Sequence, residues 1–282
     1  MQSFIIMFRE TLEAALVIAI VLSYLKRSGR RDYNISVYRG IAAGILLSII
    51  GGWLFQLAAG GFSGKKEQIF EGITMLAGAA LLTTMILWMM KQSNLTEVIK
   101  QKVEISQGKQ WGIFFLIAIS ILREGIESVI FLSAANFVSE DQNLMGAILG
   151  LLVAVLVSYL FVKGSLRISL KKFFLVTNIL LILFAAGLMA HGIHELQEAG
   201  LIPTFIQHAW DINPSATIGE GFPLLHENGN LGSIGKGLFG YNGNPSLLEV
   251  LSYLLYLAAV VFIGRAVKSG NRTGLTKSGL RG

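Results

Sequence analysis

Seven stretches of nearly unbroken apolar residues punctuate the chain, at approximately 3–25, 39–59, 69–90, 111–137, 143–163, 172–195 and 246–265. Each is close to the about 20 residues that a helix needs to cross a hydrocarbon core of about 30 Å. The pattern predicts an all-α integral membrane protein with seven transmembrane helices in a single membrane domain spanning 1–282. Only one connection is long, the segment 196–245. It is rich in glycine and asparagine, as in Glu227-Asn228-Gly229-Asn230 and Gly240-Tyr241-Asn242-Gly243-Asn244-Pro245, with Phe205, Trp210, Phe222, Leu224 and Leu225 interspersed. Turn chemistry dominates it, and its apolar residues suggest that it rests against the membrane or the helices. A lid, a docking surface and a passive linker all fit.

Composition agrees with a membrane location. Of 282 residues 53% are hydrophobic and 14% charged, with a mean hydropathy of +0.63, whereas a soluble domain carries about 25% charged residues. With no cysteine in the chain, disulfides, thiolate zinc sites and iron–sulfur clusters are excluded. A metal would be held by oxygen or nitrogen, with the eight methionines a weaker option.

The net charge of +6 is a topology signal and does not indicate nucleic acid. The connections carrying Lys26, Arg27, Arg30, Arg31 and Arg39, then Lys91, Lys100, Lys102 and Lys109, then Lys163, Arg167, Lys171 and Lys172, and finally Arg265, Lys268, Arg272, Lys277 and Arg281, hold 18 of the 23 basic residues. The opposite side has only Lys65, Lys66 and Lys236. The positive-inside rule then places the amino terminus outside and the tail 266–282 in the cytosol. The first apolar stretch lacks a basic leader and a small-residue cleavage site, so it reads as a retained helix.

Against this apolar background two pentads stand out, Arg9-Glu10-Thr11-Leu12-Glu13 and Arg123-Glu124-Gly125-Ile126-Glu127. An ionisable side chain at the bilayer centre costs about 2.5–3.5 kcal/mol on insertion scales, so such residues are functional by default. Glutamates three apart share a helical face. Two helices facing each other would gather four carboxylates and two guanidinium groups, a net charge of minus two, which suits a cation. In the bland alternative, Arg9 pairs with Glu13 and Arg123 with Glu127 as internal salt bridges. That leaves Glu10 and Glu124 without a neutralising partner and does not account for the repetition.

The repetition extends further. A Gly-x-x-x-Gly falls in the second helix, Gly40 with Gly44, and in the fifth, Gly146 with Gly150; small residues at this spacing let helices approach closely. Residues 1–90 and 111–195 therefore read as two three-helix repeats of inverted orientation, with the helix at 246–265 outside the repeat as a packing element. Inverted repeats commonly place the substrate near the bilayer midplane at their interface. Glu249, near the outer end of the last helix, reads as a solvated terminus.

The external side is acidic, with Glu67, Glu71, Glu140, Asp141, Glu195, Glu198, Asp211, Glu220 and Glu227. Negative charge there would concentrate cations. Glu71, His191, His194, Glu195 and Glu198 lie at helix ends where a cation would approach, although His and Glu at a membrane boundary are also ordinary interfacial residues. No Walker lysine motif or nucleophile elbow occurs.

The two pentads in the first and fourth helices resemble the oxidase-dependent iron permease family, nearest its bacterial EfeU-type branch. The resemblance continues through Phe70-Glu71-Gly72, Trp88-Met89, His194-Glu195-Leu196-Gln197-Glu198-Ala199-Gly200-Leu201 and Phe239-Gly240-Tyr241. Thr11 is a departure, standing where the family pattern has glycine. The resemblance implies a multi-pass protein of the cytoplasmic membrane, not an enzyme, that takes up iron as its transported substrate without an organic cofactor. It implies Glu10, Glu13, Glu124 and Glu127 as iron ligands and Arg9 and Arg123 as positioning counter-charges. It also implies partners: an extracytoplasmic iron-binding protein and an oxidase or haem peroxidase, docking on the long external segment. A permease for manganese or lead, or a proton-coupled transporter or sensor, would use the same carboxylates.

Overall fold

The computed structural model describes residues 2–91, 110–139, 144–162, 170–213, 226–227 and 229–278. Among them the elements are α1 (Gln2–Arg27), a 3-10 turn (Arg31–Tyr33), α2 (Asn34–Ala59), α3 (Lys65–Lys91), α4 (Gln110–Ser139), α5 (Leu144–Val162), α6 (Leu170–Glu198), α7 (Asn230–Phe239) and α8 (Leu247–Ser278), with no strand. Each apolar stretch of the sequence became a helix, extended at one or both ends in most cases by a turn of polar residues. Lys26 and Arg27 close the last turn of α1, where basic side chains complement the carbonyl end of the helix. Among the residues discussed above, Lys100, Lys102, Lys109, Glu140, Asp141, Lys163, Arg167, Glu220, Phe222, Leu224, Leu225, Asn228 and Arg281 lie outside the described residues.

Among the described residues, four helices are long and apolar enough to cross a membrane, over Arg31–Ala59, Lys65–Met89, Leu175–Glu198 and Leu247–Ala266, and a shorter apolar stretch covers Leu144–Leu160. The middles of α1 and α4 carry the two charged pentads. Large apolar side chains face outward along these helices, among them Ile49 and Trp53 on α2, Leu152 and Leu156 on α5, and Leu255 and Phe262 on α8. Acyl chains tolerate such a surface and water does not.

The chain divides into two compact units. The first holds α1, α2, most of α4 and α5. Its core joins Val21 and Leu25 of α1, Val37 of α2, and Ile113, Ile117 and Ile121 of α4. The glycine pairs explain how these helices come so close. A Cβ on Gly40 would lie 2.8 Å from the Phe114 carbonyl oxygen, and one on Gly44 would lie 2.9 Å from that of Ala118, so α2 rests directly on the α4 backbone. Gly150 of α5 does the same against α1, where a Cβ would sit 3.0 Å from the Phe8 nitrogen.

The second unit holds α3, the end of α4, nearly all of α6, then α7 and α8. Gly72 of α3 lies against Gly192 of α6, a Cβ on either meeting the other's carbonyl oxygen at 3.0 Å. Thr83 of α3 and Tyr256 of α8 share a hydrogen bond. Beyond α6 the chain runs extended alongside the stretch that leads into α8, with Ala209 N–H donating to Pro245, Ile212 N–H to Gly243, and Leu247 N–H to Ile206.

Candidate cation site

The pentads place their charged groups inside the first unit. Arg9 is fully buried, and Glu10 and Glu124 are 2% and 3% exposed. One carboxylate oxygen each from Glu10, Glu124 and Glu127 gathers within 4.8 Å of the others. Oxygens bound to one divalent ion at about 2.1–2.4 Å stand at most about 4.2–4.8 Å apart, so this spacing suits a shared cation. The Oε2 atoms of Glu10, Glu124 and Glu127 are buried with no hydrogen-bond partner. Such acceptors are costly unless a cation or donor meets them.

Glu13 stands outside this trio and faces the arginine of its own helix, with Oε1 at 3.1 Å from Arg9 Nε. Arg9 Nη1 lies 3.6 Å from Glu10 Oε1. On α4, Arg123 Nε donates to Glu124 Oε1 at 3.2 Å, Nη2 contacts the same oxygen, and Nε lies 3.5 Å from Glu127 Oε1. Each arginine therefore serves both glutamates of its pentad. The expectation that Glu10 and Glu124 lack a neutralising partner is corrected: the guanidinium fork spans adjacent and one-turn neighbours together. The two arginines differ in setting, with the Arg9 side chain 0% and the Arg123 side chain 55% exposed. Counted formally, four carboxylates and two guanidinium groups give minus two, a charge that one divalent ion would cancel. At Gly125 a Cβ would overlap Ser48 Oγ of α2, so glycine is required there, whereas Thr11 in the first pentad is half-buried.

The other residues singled out from the sequence fall in the second unit. His194 bridges two carboxylates, with Nδ1 at 2.9 Å from Glu249 Oε1 and Nε2 at 3.2 Å from Glu198 Oε1. Glu198 also accepts from Gln68 Nε2. His191 is bonded to the Gly187 carbonyl at 3.0 Å. Glu71 and Glu195 feel each other's charge. Among the described residues, only Glu10, Glu124 and Glu127 form a group of three at metal-binding distance.

Glu249 is not the solvated terminus expected of it. It is 1% exposed and accepts from His194, from Asn242 Nδ2 at 2.8 Å and from the Ser246 N–H at 2.8 Å. The Glu249 N–H turns back to Ser246 Oγ at 3.3 Å. Ser246-x-x-Glu249 is thus a capping box that starts α8, legible as a Ser three residues before a Glu at an apolar run. A second network, not marked by any local motif, is that of Glu227. It accepts from the Gly243 N–H at 2.8 Å, Asn213 Nδ2 at 2.9 Å and Lys236 Nζ at 3.1 Å. Burial alone would push the Glu227 carboxyl up, but these donors and the Lys236 charge together hold it below the ordinary carboxylate range.

An all-helical chain with membrane-length apolar helices and carboxylates buried together in one unit has the features expected of a cation permease. The chain matches the iron permease FTR1 family over residues 1–270, and it belongs to that family. It is 34% identical over 268 residues to the ferrous iron permease EfeU of Yersinia pestis, covering 92% of this chain and 91% of that one. It is also 34% identical over 270 residues to the protein of the same name from Escherichia coli (strain UTI89), covering 92% and 94%, and over 262 residues to that of Shigella sonnei, covering 90% and 91%. No solved structure matches.

Proposed function

We propose that the protein carries iron across the cytoplasmic membrane into the cell through the carboxylate cluster of the two pentads. The observation that carries this reading is the gathering of Glu10, Glu124 and Glu127 oxygens within 4.8 Å, inside a helical unit of a chain from an iron permease family. Carboxylate oxygens are hard donors and suit iron better than soft metals. Arg9 and Arg123 hold the carboxylates in place before the ion arrives, and Glu13 anchors Arg9.

On this reading seven helices, α1 to α6 and α8, span the membrane with the amino terminus outside. The 18-to-3 division of lysine and arginine supports that orientation. An inverted repeat of α1–α3 and α4–α6 is supported by the pairing of helices. The first helix of each set packs on the second of the other, through Gly150 and through Gly40 with Gly44, and the third packs on the third through Gly72 and Gly192. Glu71, His191, His194, Glu195 and Glu198 would then meet the cation on the outside. An extracytoplasmic iron-binding protein and an oxidase or haem peroxidase would deliver it.

Uptake of radioactive iron into proteoliposomes of the purified protein, with and without reductant, tests the proposal. Reductant-dependent uptake assigns ferrous iron, in line with the names of the relatives. Uptake outcompeted by manganese or lead at equal concentration would instead assign another divalent cation, and proton movement without metal uptake would reject the permease reading.

A further inference from the structure

Gly240, which ends α7, sits on Gly187 in the interior of α6. A Cβ on either residue would overlap the other's Cα, and both residues are buried. Gly187 lies seven residues before His194, whose ring is bonded to Glu249 in the first turn of α8. At 1.5 Å per residue, Gly240 is therefore about 10 Å deeper along α6 than the level at which α8 begins. The segment 229–246 does not stay outside the helices it connects.

Two further observations agree. Large apolar side chains of α7 point outward, with Leu231, Ile234 and Phe239 exposed, while its one charged side chain, Lys236, folds back onto Glu227. A helix bathed in water would be turned the other way. N–H groups of the non-helical chain after α7 also find acceptors within the protein. The N–H groups of Gly240 and Tyr241 bond back to Lys236 and Gly235, closing α7 with a left-handed Gly240 at φ 66°. The N–H of Gly243 is taken by Glu227, of Asn244 by Asn242, of Ser246 by Glu249, and of Leu247 by Ile206. Backbone at membrane depth demands this internal satisfaction, and an external loop does not.

We propose that residues 229–246 form a re-entrant segment: α7 enters the membrane at the face where α6 ends and α8 begins, presents Leu231, Ile234 and Phe239 to lipid, turns on Gly187, and returns as the polar, non-helical stretch from Tyr241 to Ser246. The occupant of the apolar α7 surface is the acyl region of the bilayer. The polar inner side, with Asn242, His194 and Glu249, is a wall of this unit that begins at that face.

The cysteine-free chain in lipid nanodiscs, where both faces are open to reagent, provides the test. Phe239→Cys should react with a charged, membrane-impermeant maleimide about tenfold or more slowly than Gln207→Cys in the exposed loop, because hydrocarbon shields it. A nitroxide at Phe239→Cys should relax more with oxygen than with a nickel chelate. Labelling rates within twofold of each other, or relaxation dominated by the chelate, would place α7 in water and overturn the proposal. Adding Gly240→Ala to Phe239→Cys should push the turn off Gly187 and raise the labelling rate, whereas Gly51→Ala, with nothing within 4 Å of its Cβ, should leave it slow. Unchanged labelling with Gly240→Ala would refute Gly187 as the seat. No iron enters the experiment, so its result is separable from that of the transport assay.

Discussion

Gly72 and Gly192 face each other reciprocally. A Cβ on Gly72 would meet the Gly192 carbonyl oxygen and Leu196 Cγ, each at 3.0 Å, and one on Gly192 would meet the Gly72 carbonyl oxygen and Leu76 Cγ, each at 3.0 Å. In both cases the leucine lies four residues after the opposing glycine, so α3 and α6 present the same surface to one another. Overpacking here should cost about 1–3 kcal/mol for Gly72→Ala or Gly192→Ala. Since either methyl forces the same separation, the double variant should lose less than the sum. Thermal unfolding in detergent measures this, and full additivity would argue against a shared contact.

Much of this arrangement was legible in the sequence. The pentads and the glycine pairs could be read from burial cost and spacing, because a charge in an apolar run and a small residue at i and i+4 have few other uses. Two features were not legible for physical reasons. In α7, Gly232, Gly235 and Gly237 within ten residues give a composition that reads as turn, and the seating of its capping Gly240 on the distant Gly187 leaves no trace in local pattern. Glu249 read as solvated because its partner His194 is 55 residues away in the chain, a distance over which local pattern carries no information.

Arg9 and Arg123 should not be equivalent. The buried Arg9 fork spans Glu10 and Glu13, whereas the Arg123 side chain is half exposed. Lysine keeps the charge but not the fork. Arg9→Lys should therefore reduce initial iron uptake by about tenfold or more and Arg123→Lys by less, at equal membrane abundance. The opposite order would show that the exposed arginine is the one that positions the carboxylates.

The proposed orientation makes a prediction that the cysteine-free chain can answer directly. Cysteine at Ser63, between α2 and α3, should react in intact cells with an impermeant thiol reagent, and cysteine at Ser28, beside Lys26 and Arg27, should not. Both positions are exposed, so burial cannot mask the outcome. The reverse pattern would turn the inferred direction of transport around.

Glu227 gives the loop a defined pH dependence. Its carboxyl is held below the ordinary value of 4.5 by the Gly243 N–H, Lys236 and Asn213 against the cost of burial. A group depressed in the folded state contributes stability that is fully present above its unfolded value and lost as pH falls through the folded one. The stability difference between the native chain and Glu227→Gln should thus be constant from neutral pH down to about 5 and shrink below 4.5. Melting curves across that range check it, and a difference that grows on acidification would contradict the assigned partners.

The carboxylate cluster itself gives the sharpest expectation. Glu10, Glu124 and Glu127 gather at one point, so Gln at any of them should lower initial iron uptake by about tenfold or more, equivalent to about 1.4 kcal/mol or more. Insertion should not suffer, because each change removes a charge from an apolar helix. Glu124→Gln with Glu127→Gln should be scarcely worse than either alone, since residues serving one ion are not additive. Glu13→Gln removes the negative charge that faces Arg9 Nε at 3.1 Å rather than a member of the trio, and its defect should be smaller and should resemble that of Arg9→Lys. Near-normal uptake in all of the single variants, at equal abundance, would make the carboxylates structural and leave the iron assignment resting on family membership.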